Sequence, residues 1–338
     1  MAETAVALAL AVAALVVPQA RAATLDDVRA RGHLVCGVSE GMPGFASVSA
    51  DGAWTGLDID FCAAVATAVL GDRNAVKYRV VTAASRYQAL AAAEVDLLPR
   101  ANGRTLSRDT ELGVRYTDTL FYDGQGFLIR SGYAVTSVLE LSGVTVCVMG
   151  GTSAAQGVDT FFQSRKMRYQ AVPAEHWNDA VKAYADGACT VLAGDITVLA
   201  AERSRLVNPA DHVLMPEMIG KEMLGPVVRR GDEQWFSIVR WTLAALISAE
   251  ELGITNQNVE ALRASSTNID VRRFLGLEAD LGQGMGLARD WSYQVVRQVG
   301  NYGDLFERNI GLKSPLGLER GINNLWTRGG LLSAGPLR

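Results

Sequence analysis

Residues 24–98 and 144–203 of this sequence each run through the same alternation of short apolar segments and helical ones. In the first stretch, 33–38, 76–81 and 95–98 read as strands, and 58–70 and 85–94 as helices. In the second, 144–148, 169–173 and 189–195 read as strands, and 154–166, 176–186 and the residues through Arg203 as helices. Strands alternating with helices imply a mainly parallel sheet covered on its faces, and the repeat implies two such α/β units. The length of 338 residues fits two domains.

Local signals refine this outline. Thr24 can cap a short helix that carries Asp26 and Asp27 in its first turn and ends at Gly32. Asp51-Gly52 marks a hairpin turn ahead of a short strand at 54–58. The helix at 58–70 reads as amphipathic with an acidic start. A glycine-rich strand at 121–130 carries the chain out of the first unit. Residues 213–216 and 223–228 read as return strands, 232–252 as one long helix, and the tail from Asp270 as short helices and turns.

The first 23 residues stand apart. Ala5 to Val17 is almost entirely Ala, Val and Leu, and Ala20-Arg-Ala22 follows as a small-x-small cleavage pattern. This is expected to be a signal peptide cut near Ala22 or Ala23, its apolar run being too short to span a bilayer. The n-region holds Glu3 and no Lys or Arg. A buried N-terminal helix is the alternative. The mature chain is expected to be exported as a soluble protein.

Export makes Cys36, Cys62, Cys147 and Cys189 informative. They allow three pairings; Cys36–Cys62 and Cys147–Cys189 would each staple one local unit, worth roughly 3–4 kcal/mol apiece. A zinc site is the rival, but there is no CxxC, and His33, His176 and His212 stand at no metal-ligand spacing. The net charge of −4 offers no basic face for nucleic acid. No metal or cofactor is expected.

Ligands in open α/β sheets bind where the chain leaves the carboxyl ends of the strands. The first unit offers Ser39, Glu40 and Phe45 there, then the stretch Arg100-Ala-Asn-Gly-Arg-Thr-Leu-Ser-Arg108. Three arginines in nine residues suit a carboxylate, although a solvated loop is the plain alternative. The second unit offers Gly150-Gly151-Thr152-Ser153, a turn opening a helix whose free amides suit an anion, and Asp195, which suits a cation. Asp195 can equally serve as a helix N-cap near Thr197. Arginine, helix N-terminus and carboxylate together make the inventory for a zwitterionic amino acid. Catalytic motifs are missing: there is no G-x-S-x-G, no HExxH and no GK[ST]. Glu40, and Glu175 beside His176, lack a partner at a defined spacing. Asp58 and Asp60 do not face each other on a helix.

Gly56-Leu-Asp-Ile-Asp-Phe-Cys62, Thr105-Leu-Ser-Arg108, Tyr122-Asp-Gly-Gln-Gly126, Gly151-Thr152 and Asp195 together resemble the periplasmic polar amino-acid-binding proteins of ABC transporters. Ser107-Arg-Asp-Thr110, Gly220-Lys-Glu-Met-Leu-Gly-Pro226, residues 300–309 and Leu325-Trp326 resemble the general L-amino-acid-binding subgroup. The resemblance covers nearly all of the mature chain. It implies an α/β, two-lobed fold joined by two crossover strands, with 24–128 and 222–338 as one lobe and 129–221 as the other, closing on ligand by a hinge. It implies that the protein is not an enzyme but captures L-amino acids and delivers them to an ABC permease. By family pattern Arg108 holds the α-carboxylate, assisted by amides near Thr105 and at Gly151-Thr152. Asp195 and a carbonyl near Ala101 hold the α-ammonium, and Phe45 or a nearby loop residue packs on the ligand side chain.

One departure falls inside the site. The subgroup usually reads Arg-Asn-Thr-Thr-Trp-Thr where this chain has Arg100-Ala-Asn-Gly-Arg-Thr105, so Gly103 replaces a threonine and Arg104 an aromatic. Arg104 beside the pocket would favour a second anionic group, and hence acidic amino acids or other dicarboxylates. A periplasmic dehydratase-like enzyme with Glu40 as general acid, and a ligand-presenting receptor partner, are the further alternatives.

Overall fold

The computed structural model describes residues 23–39 and 41–338. The leader, apart from Ala23, and the general-acid candidate Glu40 lie outside the described residues. In chain order the first unit contains α1 (Thr24–Arg31), β1 (Leu34–Val38), the hairpin β2 (Ser47–Val48) and β3 (Trp54–Thr55), α2 (Leu57–Leu70), β4 (Val76–Val80), α3 (Arg86–Ala91), α4 (Leu106–Glu111) and β5 (Val114–Tyr116). The chain then runs along β6 (Phe121–Arg130). It continues through β7 (Val144–Met149), α5 (Ser153–Ser164), β8 (Tyr169–Ala174), α6 (Trp177–Ala185), β9 (Val191–Asp195), α7 (Ile196–Arg205) and β10 (His212–Leu214). It returns by β11 (Gly220–Leu224) and β12 (Val227–Arg229). Five helices follow: α8 (Glu233–Glu251), α9 (Val259–Ser265), α10 (Ile269–Phe274), α11 (Trp291–Val299) and α12 (Tyr302–Asn309).

The repeated alternation yields two sheet systems. In the second, β8, β7 and β9 are parallel, and β6 runs antiparallel to β9, with β10 and β11 on its other side. In the first, β1 pairs parallel with β4, and Cys36 bridges Leu97 in parallel. The strand expected at 95–98 is thereby reduced to single bridges, Leu97 to Cys36 and Leu98 to Val227. The connection between the two systems is the antiparallel pair β6–β11, in register from Phe121↔Leu224 to Gln125↔Gly220.

Disulfides join Cys36 to Cys62 and Cys147 to Cys189, closing separations of 26 and 42 residues. The first ties β1 to α2 and the second ties β7 to the residues ahead of β9.

Two local expectations are corrected. Helix α2 is not amphipathic: all its residues from Leu57 to Val69 are buried. Its inner side faces β1 and β4, and α8 and α11 from the C-terminal part cover its outer side. An apolar all-round helix is what such a position requires. Thr24 is not the cap of α1; Ala23 holds that position without a side-chain bond, and the Thr24 amide donates to the Asp232 carboxylate at 2.8 Å. Among the described residues, no helix is long and apolar enough to cross a membrane.

Candidate functional site

The chain leaving β1 and the strand end near Leu98 meets the chain leaving β7 and β9 around a small cavity of about 40 Å³. One side is formed by Met42, Arg86, Arg100, Ala101 and Gly103. The other is formed by Met149, the residues Thr152 to Ala154 that open α5, Trp177, and Ala193 to Asp195 with Val198. The two sides are closed on each other. The Arg86 guanidinium reaches the Gly151 carbonyl at 3.5 Å, and a Cβ placed on Gly103 would come within 2.6 Å of Ser153 Oγ.

Asp195 ends β9 at the N-cap position of α7, yet its carboxylate makes no capping bond. Asp123 of β6 takes that role instead: its two oxygens accept from the Thr197 amide at 3.4 and 3.3 Å. The Asp195 side chain thus does not cap α7 and lines the cavity instead. Burial holds the Asp195 carboxyl well above the usual carboxylate range, and the Asp123 and Glu222 carboxylates add to the effect while Arg108 opposes it. Asp123 is likewise pushed up to about 7, chiefly by burial. Three carboxylates, one from each of β6, β9 and β11, therefore converge at the junction of the lobes.

Glu222 also explains the glycine at 103. Glu222 is buried and accepts a hydrogen bond from the Gln125 side-chain amide. Its other oxygen sits where a Cβ on Gly103 would project. Any side chain at 103 must displace it. Gln125 is in turn packed against Gly157 and Gly220, whose missing side chains make room for its amide.

On the cationic side, Arg108 is buried and donates from Nη1 to the Gly103 carbonyl at 2.9 Å. It lies behind that carbonyl and borders a wide cleft with Ala83, Ala84 and Gly151 rather than the small cavity itself. Thr105 caps α4, accepting from the Arg108 amide at 3.3 Å, and so fixes the helix from which Arg108 projects. Arg86 does line the cavity; it is buried, and its Nε has no hydrogen-bond partner. A guanidinium in the cavity wall beside helix amides can donate to an anion. Across from it, the first-turn amides of α5 belong to Ser153 and Ala154, and Thr152 caps the same helix by accepting from Ala155 N at 3.2 Å.

Of the residues expected from sequence, Ala101, Gly103, Thr152 and Asp195 stand in the cavity wall, Gly151 at the seam, and Arg108 and Thr105 directly behind. Two do not. Arg104 is outside the cavity wall: its side chain is 46% exposed and pairs with Asp109 at 3.3 Å, so it supplies no second anion site there. Phe45 is 1% exposed and packs edge-on against Phe121, with ring centroids 5.4 Å apart, inside the core. Met42, Met149 and Trp177 form the apolar lining in its place. The Trp177 ring rests against Gly194, where a Cβ would meet it at 2.8 Å, and its Nε1 donates to Glu202 at 3.3 Å. Sequence reasoning missed Arg86, Asp123, Glu222 and Trp177. A charged residue inside a strand flanked by glycine, as in Asp123-Gly124, was the available signal, since unpaired charges are rarely buried. Among the described residues, no group of three or more His, Cys, Asp or Glu could hold a metal ion.

Two α/β lobes, a crossover strand pair and a closed cleft presenting cationic groups, helix amides and a buried carboxylate define a solute-binding protein. The comparisons agree. Residues 34–258 match the model of the bacterial extracellular solute-binding proteins, family 3, and the chain belongs to that family. It is 46% identical over 334 residues to the general L-amino acid-binding periplasmic protein AapJ of Rhizobium johnstonii, covering 98% of each chain. It is 46% identical over 329 residues to the glutamate/glutamine/aspartate/asparagine-binding protein BztA of Rhodobacter capsulatus, covering 97% of each. Among solved structures, an ABC transporter periplasmic binding protein from Brucella ovis with glutathione bound superposes with a TM-score of 0.91 at 45% identity, covering 94% of this chain and 100% of that one.

Proposed function

We propose that this protein captures L-amino acids in the cleft between its lobes and delivers them to the permease of an ABC transporter. It acts in the periplasm as a monomer, after loss of its leader, and without chemical turnover. The observation that carries the reading is the Asp195 carboxylate, free of a capping bond, lining one cavity with Arg86 and the residues that open α5, with Arg108 behind Gly103. Asp195 receives the α-ammonium, with a carbonyl near Ala101. Arg108 receives the α-carboxylate with amides at Gly151 and Thr152; its bond to the Gly103 carbonyl is exchanged for the ligand as the lobes reopen and close. The names of the relatives AapJ and BztA support the ligand class. The lobe division 24–128 with 222–338, and 129–221, is kept as part of the proposal, supported by the β6–β11 pairing at the crossing.

Titration calorimetry against a panel of amino acids tests the reading. Binding is expected for several of them, and Arg108→Ala should weaken it by two orders of magnitude or more, because breaking one partner of a buried charge pair costs about 3–5 kcal/mol. No heat with any amino acid rejects the reading.

An acidic preference has its own support, in Arg86 rather than Arg104. The Arg86 guanidinium, in the cavity wall, suits a side-chain carboxylate. Glutamate should then bind more tightly than glutamine, and Arg86→Gln should remove most of the difference. Equal affinities in the unmodified protein reject the preference.

A further inference from the structure

A second, larger chamber of about 520 Å³ lies next to the ligand cavity. The two share walls that are consecutive in the chain. Met42 lines the small cavity, and Pro43 and Gly44 line the chamber. On α7, Val198 lines the cavity, while Ala201, Ser204 and Arg205, one and two turns further on, line the chamber. The wall is completed by the β2–β3 hairpin with Trp54, by Asp60 of α2 and Arg73 just after it, and by Arg308, Asn309 and Leu316 of the C-terminal tail. Each lobe thus supplies one side, and residues beyond the segment matched by the family model supply another.

The lining is cationic. It contains Arg73, Arg205 and Arg308, with side chains 43, 59 and 36% exposed, against the single acid Asp60. Asp60 is already engaged: it accepts from Arg308 Nε at 2.7 Å and Asn309 Nδ2 at 2.5 Å, and stands 3.9 Å from Arg73. It braces the arginines and does not neutralise all three. Arg205 leans on Glu202 at 3.5 Å. Arginine forks held in place match a carboxylate in geometry as well as charge. Met42 and Val198 stand at the boundary between cavity and chamber, so a ligand side chain long enough to pass them would reach the chamber's arginines.

We propose that the chamber is a second subsite for the terminal carboxylate of amino acids whose side chain is extended through an amide, the smallest being γ-glutamylglycine. The subsite rests on the amino-acid reading of the neighbouring cavity. Calorimetry on the full mature chain with glutamine, γ-glutamylglycine and γ-glutamylglycinamide tests it. The free acid should bind at least tenfold more tightly than its amide, and Arg73→Gln with Arg205→Gln should cut that ratio below threefold. Ser204→Trp, which fills the chamber and removes no charge, should weaken γ-glutamylglycine at least tenfold while glutamine stays within threefold. Equal binding of acid and amide by the unmodified protein overturns the subsite, and so does unchanged γ-glutamylglycine affinity in Ser204→Trp. The first comparison needs no variant to fold. Absence of binding by every free amino acid overturns the underlying reading instead, and the two failures are read from different ligands.

Discussion

Gly103 shows how one missing side chain redistributes polar groups. Its absence lets the Glu222 carboxylate enter the junction beside Asp123 and Asp195. Gly103→Thr should push that carboxylate aside, since the obstructing atom is the end of a flexible chain, and break its bond to Gln125. The expected cost is about 1–2 kcal/mol, visible as a lower urea midpoint at unchanged slope; an unaltered midpoint would count against the packing described. The acids also set a pH dependence. Asp195 and Asp123 both titrate above the ordinary value of 3.8, Asp123 at about 7. Between that ordinary range and pH 7 the folded protein holds more protons than the unfolded chain, so their contribution to stability is present at low pH and is lost as pH rises. Arg108 is the facing cation, and the Gly124 and Thr197 amides partly stabilise the charged form of Asp123. A bound ammonium should favour the ionised forms and release protons near pH 6.5. Binding enthalpies that do not change with the ionisation enthalpy of the buffer would refute this.

Elements were legible from the sequence wherever one local rule decided them. Gly32 and Gly71 end α1 and α2 in left-handed conformation, and Asp51-Gly52 turns the β2–β3 hairpin. What failed depended on distant partners. The cover of α2 comes from α8 and α11, more than a hundred residues away, and the cap of α7 comes from Asp123 on β6. Arg108, the proposed carboxylate partner, was legible through the family resemblance. Arg86 was not, because it reads as an ordinary first-turn residue until its place in the cavity wall is seen. Gly56 marks where α2 begins, with φ of 136° and a Cβ position overlapping the Phe45 carbonyl. Gly56→Ala has backbone, not a flexible side chain, to displace. It should destabilise by more than about 2 kcal/mol, and a thermal midpoint within a degree of the parent would contradict the geometry. The disulfides act on the same level. Removing Cys147–Cys189 by paired alanines should cost roughly 3–4 kcal/mol, and about 0.4 kcal/mol more than removing Cys36–Cys62 because its loop is longer. Denaturant titrations of the two double variants measure both figures.

The molecule as a whole is two lobes plus a tail that packs on only part of them. The tail reaches the crossing strand directly. Tyr302 donates to the Leu120 carbonyl at 2.8 Å, just ahead of β6. Asn323 accepts from the Tyr122 amide at 2.7 Å and donates to the Tyr122 carbonyl at 2.8 Å. On that side of β6, the neighbour β9 begins only at Gln125. The Asn323 amide therefore stands in for a strand partner, satisfying both backbone groups of Tyr122. Mechanically this is a clamp on a flexing beam. Held by the tail, this part of β6 is tied to the first lobe, which leaves the few residues from Asp123 to the first β9 pairing at Gln125 as the place to bend. Any opening of the cleft would therefore have to pivot beyond the part of β6 that the tail holds.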